Sequence, residues 1–336
     1  MNSRAKPFIA VHDDLQNGAA PPALKGALQN PVIALGNFDG VHRGHRVVIN
    51  RAVALARRLN KPAAALTFEP SPRTFFRPDE PNFRIASARS RLRLFAATEL
   101  NGAIVLAFNA TLAGLEAEDF ISHLLVERLG ISGAVIGFDF HFGRNRKGTP
   151  ELLKAEGERL GFAVDVVGAV SDAKRRFSSG AVRAALTAGD VTDAADILGY
   201  PWFVSGEVIH GEKRGRDLGF PTANLRLDPG CDLRHGIYAV RVDVDGNRYG
   251  GVASFGRRPT FDNGAPLLET FLFDFKGDLY GKIIDVAIIG WIRPEERFTS
   301  IDDLVVQMNE DSRRAKAMLA AAGDAFPPLG EIDNGP

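Results

Sequence analysis

The hydrophobic periodicity of the chain changes once, near Thr187-Ala188-Gly189-Asp190, and that change limits the folds open to it. Before it, short apolar runs alternate with segments of helical spacing. Residues 8–11, 31–35, 63–68, 103–108, 133–137 and 162–167 read as strands, and 47–59, 116–129 and 151–160 as helices. Strands alternating with helices predict βαβ units and a mainly parallel sheet. After the change, one helix at 191–198 is followed by strand candidates at close spacing, 202–209, 236–244, 248–254, 268–273 and 283–292. Polar and apolar residues alternate in Tyr238-Ala239-Val240-Arg241-Val242-Asp243-Val244, and Asp245-Gly246-Asn247 supplies a turn. That pattern predicts a small antiparallel barrel or sandwich. A helix over 299–322 closes it, and 327–336 reads as a loose tail. The 336 residues suit two domains. The expected division is an α/β domain over 1–186, a β-barrel domain over 187–326 and the tail.

Charge and cysteine content narrow the setting. Lys+Arg and Asp+Glu number 41 each, which argues against a general nucleic-acid or anionic-membrane binder. Cys231 is the only cysteine, so an intrachain disulfide and a thiolate-cluster zinc site are both excluded. No apolar run approaches the ~20 residues of a membrane span. The basic start of the chain lacks the apolar stretch of a secretory signal. A cytoplasmic protein, monomeric or transiently oligomeric, is expected.

The densest chemistry lies in Gly36-Asn37-Phe38-Asp39-Gly40-Val41-His42-Arg43-Gly44-His45. It joins a buried strand to a helix, which is where open α/β sheets place ligands. Helix N-terminal N–H groups favour anions there, and glycine lets a phosphate approach the backbone. Two imidazoles can donate hydrogen bonds to a phosphoryl group as its charge develops. The chemistry indicated is attack on a nucleotide α-phosphate; a polar surface turn is the plainer alternative.

Other segments add to this. Phe68-Glu69-Pro70-Ser71-Pro72 ends a strand on the same sheet edge, where Phe68 and Phe75 offer an apolar wall or simply a stiff connection. Gly137-Phe138-Asp139-Phe140-His141-Phe142-Gly143, followed by Arg144, Arg146 and Lys147, suits a flat, partly polar, phosphorylated ligand. It reads equally as a solvated loop with core phenylalanines. Arg175-Arg176-Phe177-Ser178-Ser179-Gly180-Ala181-Val182-Arg183 opens a helix that Ser178 or Ser179 can cap, and Arg183 makes it an anion site.

The second half holds Gly211-Glu212-Lys213-Arg214-Gly215-Arg216-Asp217-Leu218-Gly219-Phe220-Pro221-Thr222-Ala223-Asn224. The Thr222 hydroxyl and Asn224 carbonyl are oxygen ligands suited to Mg²⁺, beside glycines whose N–H groups can hold phosphates. Neither a Walker A loop nor a Gly-x-Gly-x-x-Gly fingerprint is present, so a dinucleotide-dependent dehydrogenase is not expected. Glu269 lies in the apolar run Leu267-Leu268-Glu269-Thr270-Phe271-Leu272-Phe273. There it is either the polar face of a strand or a carboxylate placed to accept a hydroxyl proton.

Taken in order, these segments resemble the prokaryotic bifunctional riboflavin kinase/FAD synthetase family over roughly residues 32–317. The string Leu218 to Asn224 is the most specific, and Gly236-Ile237-Tyr238-Ala239, Arg258-Pro259-Thr260 and Arg293-Pro294-Glu295-Glu296-Arg297-Phe298 follow in the family's order. The resemblance implies a Rossmann-like nucleotidyltransferase domain and a β-barrel riboflavin kinase domain. ATP is the co-substrate, Mg²⁺ the cofactor, and riboflavin, FMN and FAD the substrates and products. It implies that Glu269 is the general base for riboflavin phosphorylation, with Thr222 and Asn224 on Mg-ATP and Gly215 on phosphate. It implies that His42 and His45 bind the transition-state phosphate of FMN adenylylation. Asn37, Phe38 and Gly44 then belong to the ATP turn, Ser178, Ser179 and Arg183 to the pyrophosphate side, and Phe68, Asp139 and Arg293 to the flavin. The chain departs from the family twice: Gly180 replaces a threonine of Ser-Ser-Thr, and Ser254 stands where asparagine is frequent. Three alternatives stay open: a kinase with weakened adenylyl transfer, a non-catalytic flavin- or nucleotide-binding regulator, and an adenylyltransferase for another phosphorylated acceptor.

Overall fold

The computed structural model describes residues 8–16, 18, 21, 24, 26–173, 175–210, 220–257 and 265–333. It divides into two compact units. The first comprises Met1–Glu80, Ala88–Phe177 and Pro328–Pro336, the second Pro81–Ser87 and Ser178–Pro327.

The first unit is built on six strands, β1 (Ile9–Asp13), β2 (Val32–Leu35), β3 (Ala63–Glu69), β4 (Gly102–Ala107), β5 (Gly133–Gly137) and β6 (Ala163–Val167). They lie in the order β1-β4-β3-β2-β5-β6, and every pairing is parallel. The chain runs outward from β2 through β3 to β4, then returns to place β5 on the other side of β2. The order therefore reverses at β2, and ligands of open α/β sheets bind at the carboxyl edge of such a reversal. All four residues of β2 and six of the seven of β3 are buried, as expected of parallel strands covered on both faces.

Helix α1 (Arg43–Leu59) follows β2. His42 caps its first turn, and Asn60 ends it in the left-handed region at φ 53°. Val48, Ile49, Ala52, Val53 and Ala56 form its buried face. Helices α2 (Pro72–Phe76) and α3 (Ala88–Ala96) lie between β3 and β4, and α4 (Ala110–Gly114) follows β4. The single helix expected over 116–129 is instead a short turn, α5 (Ala117–Asp119), that widens into a π-helix over Phe120–Arg128. There Leu129 N–H donates to Leu124 O, five residues back. Helix α6 (Pro150–Leu160) precedes β6.

The segment expected to be a loose tail is tied to this unit. Gly330 N–H donates to Arg93 O, and Asp333 N–H donates to Phe8 O, beside a parallel bridge between Ile9 and Asp333.

The second unit begins with α7 (Ser179–Ala188) and α8 (Val191–Leu198). The compact units part at Phe177/Ser178. A closed barrel follows, built from β7 (Phe203–Ile209), β8 (Thr222–Arg226), β9 (Gly236–Val244), β10 (Asn247–Arg257), β11 (Pro266–Leu272) and β12 (Ile283–Arg293). Its circular order is β10-β11-β8-β7-β12-β9, and every pairing is antiparallel. Burial alternates along β11, so Leu268, Thr270 and Leu272 point inward while Glu269 and Phe271 face out. Asp245 and Gly246, at φ 51° and 84°, make the two-residue turn between β9 and β10. The stiff Phe-Pro-Thr turn expected at 220–222 gives way at once to β8, which the sequence reading did not anticipate. Helix α9 (Ile301–Ala321) lies against the outer face, with Ala315 and Leu319 packed among Ala239, Phe273 and Ile292.

Candidate active sites

The turn after β2 is held in a strained form. Phe38 and Val41 both have positive φ, 50° and 41°, which is costly for an aromatic and more so for a β-branched residue. Both are buried. His42 Nδ1 accepts from the His45 backbone N–H at 3.3 Å, which puts the proton of a neutral His42 ring on Nε2. The two imidazoles stack with centroids 3.5 Å apart and planes 18° from parallel, and Phe38 meets His45 edge-on at 5.2 Å. A Cβ on Gly44 would lie 3.1 Å from the His42 ring and 3.3 Å from Phe177 O, so glycine is what allows this packing. His45 Nδ1 is buried without a hydrogen-bond partner. Burial, then His42, then Arg91, hold the His45 pKa well below the ordinary imidazole value.

Asn37 carries the turn's other fixed point. Its carbonyl oxygen accepts from Thr67 Oγ1 at 3.2 Å and from Arg91 Nη1 at 3.1 Å. Asn37 also lines a cavity of about 750 Å³ at the carboxyl edge of the sheet. Phe68, Phe76, Phe108, Phe120, Phe140 and Phe142 supply its aromatic walls, and Arg73, Arg77, Arg146 and His141 its polar ones. The rings are mutually packed: Phe108 meets Phe68 at 5.8 Å and Phe76 at 5.8 Å, and Phe120 meets Phe142 at 5.1 Å. Phe68 is thus one of the rings that line this cavity. Asp139 does not line this cavity. Its carboxylate accepts from Arg176 at 2.6 Å, and the Arg176 guanidinium lies over the Phe138 ring.

In the second unit, Ser178 rather than Ser179 caps α7, accepting from Ala181 N–H at 3.2 Å. Arg183 Nε donates to Phe83 O at 2.6 Å. Gly180 sits in the first turn, where an added Cβ would meet only Ser178 Oγ, at 3.8 Å.

The barrel brings the remaining residues together by register. Glu269 on β11 pairs directly with Asn224 on β8 and with Ser254 on β10, so the three form one row across the outer face. Phe271 pairs with Thr222 in the next outward row. Two cavities flank these rows. One, about 400 Å³, is lined by Thr222, Asn224, Phe275, Gly277, Asp278 and Tyr280. The other, about 360 Å³, is lined by Glu269, Phe271, Ser254, Phe220 and α9 residues including Met308. Thr222 lines both. Arg293 borders the second cavity with its guanidinium gripped by Asp311, at 2.8 Å through Nε and 2.7 Å through Nη2. Gly215 and Arg258-Pro259-Thr260 lie outside the described residues.

Comparison with known proteins meets this geometry in both halves. A family model described as FAD synthetase matches residues 24–181, and one described as riboflavin kinase matches 198–319. A bifunctional riboflavin kinase/FMN adenylyltransferase of Haemophilus influenzae is 40% identical over 293 residues, covering 87% of this chain and 95% of the relative. The protein of that name from Escherichia coli K12 is 38% identical over 286 residues, 85% of this chain and 91% of its own. The chain belongs to the bifunctional riboflavin kinase/FMN adenylyltransferase family. A crystal structure of a Streptococcus pneumoniae protein named for macrolide efflux has a similar fold, with a TM-score of 0.80 and 32% identity over 92% of this chain and 99% of that one. Among the described residues no helix is long and apolar enough to cross a membrane.

With the family in view, the FAD synthetase match spans β2 to β6 of the parallel sheet and the His turn, and the riboflavin kinase match spans the barrel. Arg91 and three of the six cavity phenylalanines were not singled out in the sequence. Phe76, Phe108 and Phe120 come from three separate segments, and only the sheet's common edge unites them.

Proposed function

We propose that this protein makes FAD in two steps at two separate sites. In the barrel, riboflavin is phosphorylated by ATP to FMN. At the carboxyl edge of the parallel sheet, FMN attacks the α-phosphate of a second ATP, giving FAD and pyrophosphate. The observation that carries this reading is the row of Glu269 and Asn224 between two cavities that share Thr222. It offers one pocket for a nucleotide and one for a flavin, with a carboxylate and two neutral oxygen ligands at their junction.

In the kinase step, Glu269 accepts the proton of the ribityl 5′-hydroxyl as that oxygen bonds to the γ-phosphate and ADP departs. Thr222 and Asn224 fit a magnesium site. The Asn224 amide nitrogen donates to Thr222 O at 3.5 Å, and both residues line the same cavity. Magnesium prefers such oxygen donors together with substrate phosphates and water, and it supplies neutralisation of phosphate charge.

In the adenylyl step, His42 and His45 donate hydrogen bonds to the α-phosphate oxygens as charge builds on them. Gly44 and the first N–H groups of α1 receive the phosphates, with Asn37 and Phe38 shaping the turn. The aromatic cavity beside Asn37 takes the isoalloxazine, with Phe68 among its walls. The assignment of Ser178, Ser179 and Arg183 to pyrophosphate, of Asp139 and Arg293 to flavin, and of Gly215 to phosphate rests on the motifs they match. A cytoplasmic setting and a monomeric or transiently oligomeric state belong to the same reading, and the balanced charge supports the absence of general nucleic-acid or anionic-membrane partners.

Purified protein given riboflavin, ATP and Mg²⁺ is expected to form FMN and then FAD. FMN accumulating without FAD would favour the second reading, a kinase with weakened adenylyl transfer, for which Gly180 is the specific reason.

A further inference from the structure

Among the described residues of the first unit, Arg91 is the most deeply buried cation that the family motifs leave unassigned, with 3% of its surface exposed. It sits on the inner face of α3 beside Leu92, Leu94 and Phe95, which are also buried. Its guanidinium spans three acceptors from two strand ends. Nη1 donates to Asn37 O at 3.1 Å, and Nη2 donates to Phe68 O and to Glu69 Oε2, both at 3.1 Å. Asn37 opens the strained turn that carries the His pair, and Phe68 is a wall of the aromatic cavity. A single planar fork therefore fixes the histidine turn and the cavity wall to each other.

We propose that Arg91 is a positioning residue for adenylyl transfer, clamping the strained turn from Asn37 to Val41 against the end of β3. This inference rests on the proposed adenylyl site. Backbone held at positive φ persists only where its surroundings over-determine it. Among the described residues, the Thr67 and Arg91 side chains hold the Asn37 carbonyl. Three acceptors arranged around one plane suit a guanidinium, and an ammonium cannot reproduce that geometry. The charge has a second consequence: among the groups facing His45, His42 from the same turn and Arg91 from α3 both disfavour its protonation.

The experiment compares Arg91→Met and Arg91→Lys with the parent protein, assaying FAD formation from supplied FMN and, separately, riboflavin phosphorylation. Arg91→Met is expected to lower kcat for FAD formation on the order of 100-fold, with KM for FMN changed far less, as misplacement of reacting groups does. The kinase step is unchanged. Arg91→Lys is expected to recover only part of the loss. The His45 titration, followed by its imidazole NMR signals in the ligand-free protein, moves to higher pH in Arg91→Met and stays near the parent in Arg91→Lys. Parent-like kcat in either variant would overturn the proposal. If Arg91→Met does not fold, the lysine variant decides alone. A parent protein that forms no FAD would instead refute the adenylyl site itself, before any variant is compared.

Discussion

The His42 and His45 rings lie face to face, 3.5 Å apart, on a turn whose Phe38 and Val41 hold positive φ. Two cationic imidazoles in that contact would repel, and burial penalises the charge of His45 further. The folded pKa of His45 is thus below its unfolded value of 6.5. Below pH 6.5 the unfolded chain gains a proton that the folded one refuses, so stability falls as pH drops from there toward the folded value and is flat above. Thermal unfolding between about pH 5 and pH 8 is expected to show this loss on the acid side, and His45→Gln is expected to flatten it. An acid slope identical in the variant would contradict the assignment.

Gly180 leaves an opening rather than filling a need. Its Cβ position is clear of everything but Ser178 Oγ at 3.8 Å, and it is not among the positive-φ glycines. Gly180→Thr is therefore expected to fold normally and gain a few tenths of a kcal/mol from helix propensity. It is also expected to raise FAD formation from FMN about fivefold, the worth of one hydrogen bond of ~1 kcal/mol. No change in the FAD rate would show that the missing hydroxyl has no part in the reaction.

Asn224 is buried and pairs directly with Glu269. Asn224→Ala removes an oxygen from the shared cavity, and riboflavin phosphorylation is expected to fall about 10–100-fold, as when support around a metal is lost. The measurement is FMN formation against magnesium concentration, with FAD formation from supplied FMN as the internal control. An equal fall in both would mean the residue acts through folding alone.

The C-terminal segment is expected to matter for the first unit. Gly330 lies so close to α3 that a Cβ would come within 2.5 Å of Ala96 O. Gly330→Ala is expected to cost about 1–3 kcal/mol, the usual range for overpacking. Deleting residues 328–336 removes the backbone hydrogen bonds to Arg93 and Phe8 and is expected to lower the midpoint for loss of adenylyl transfer on heating. An unchanged midpoint for both variants would show the segment to be dispensable.

Much of this was legible in the sequence because it is local. Strand–helix alternation, the switch to close-spaced strands, the Asp245-Gly246 turn and the Gly36–His45 motif each declare themselves within about ten residues. What was hidden depends on distant partners. Arg91 sits between Arg89 and Arg93 in a stretch whose pattern assigned no element; only Asn37, Phe68 and Glu69 reveal its burial. The π-helix at Phe120–Arg128 has no periodic signature distinct from an α-helix over so few residues. Thr222–Arg226 carries Phe-Pro-Thr turn chemistry at its start, which masked a strand whose pairing with β11 brings Asn224 to Glu269. Proline, glycine and acidic residues made 327–336 look loose, because backbone hydrogen bonds to Phe8 and Arg93 leave no trace in composition.

Separate sites in one chain can be tested by complementation. Glu269→Gln is expected to make no FMN yet convert supplied FMN to FAD, and His45→Ala to make FMN and stop there. Neither variant alone yields FAD from riboflavin and ATP, while an equal mixture of the two does, because FMN released by one serves the other. If either variant loses both activities, or the mixture makes no FAD from riboflavin while Glu269→Gln still converts supplied FMN, the two-site account fails.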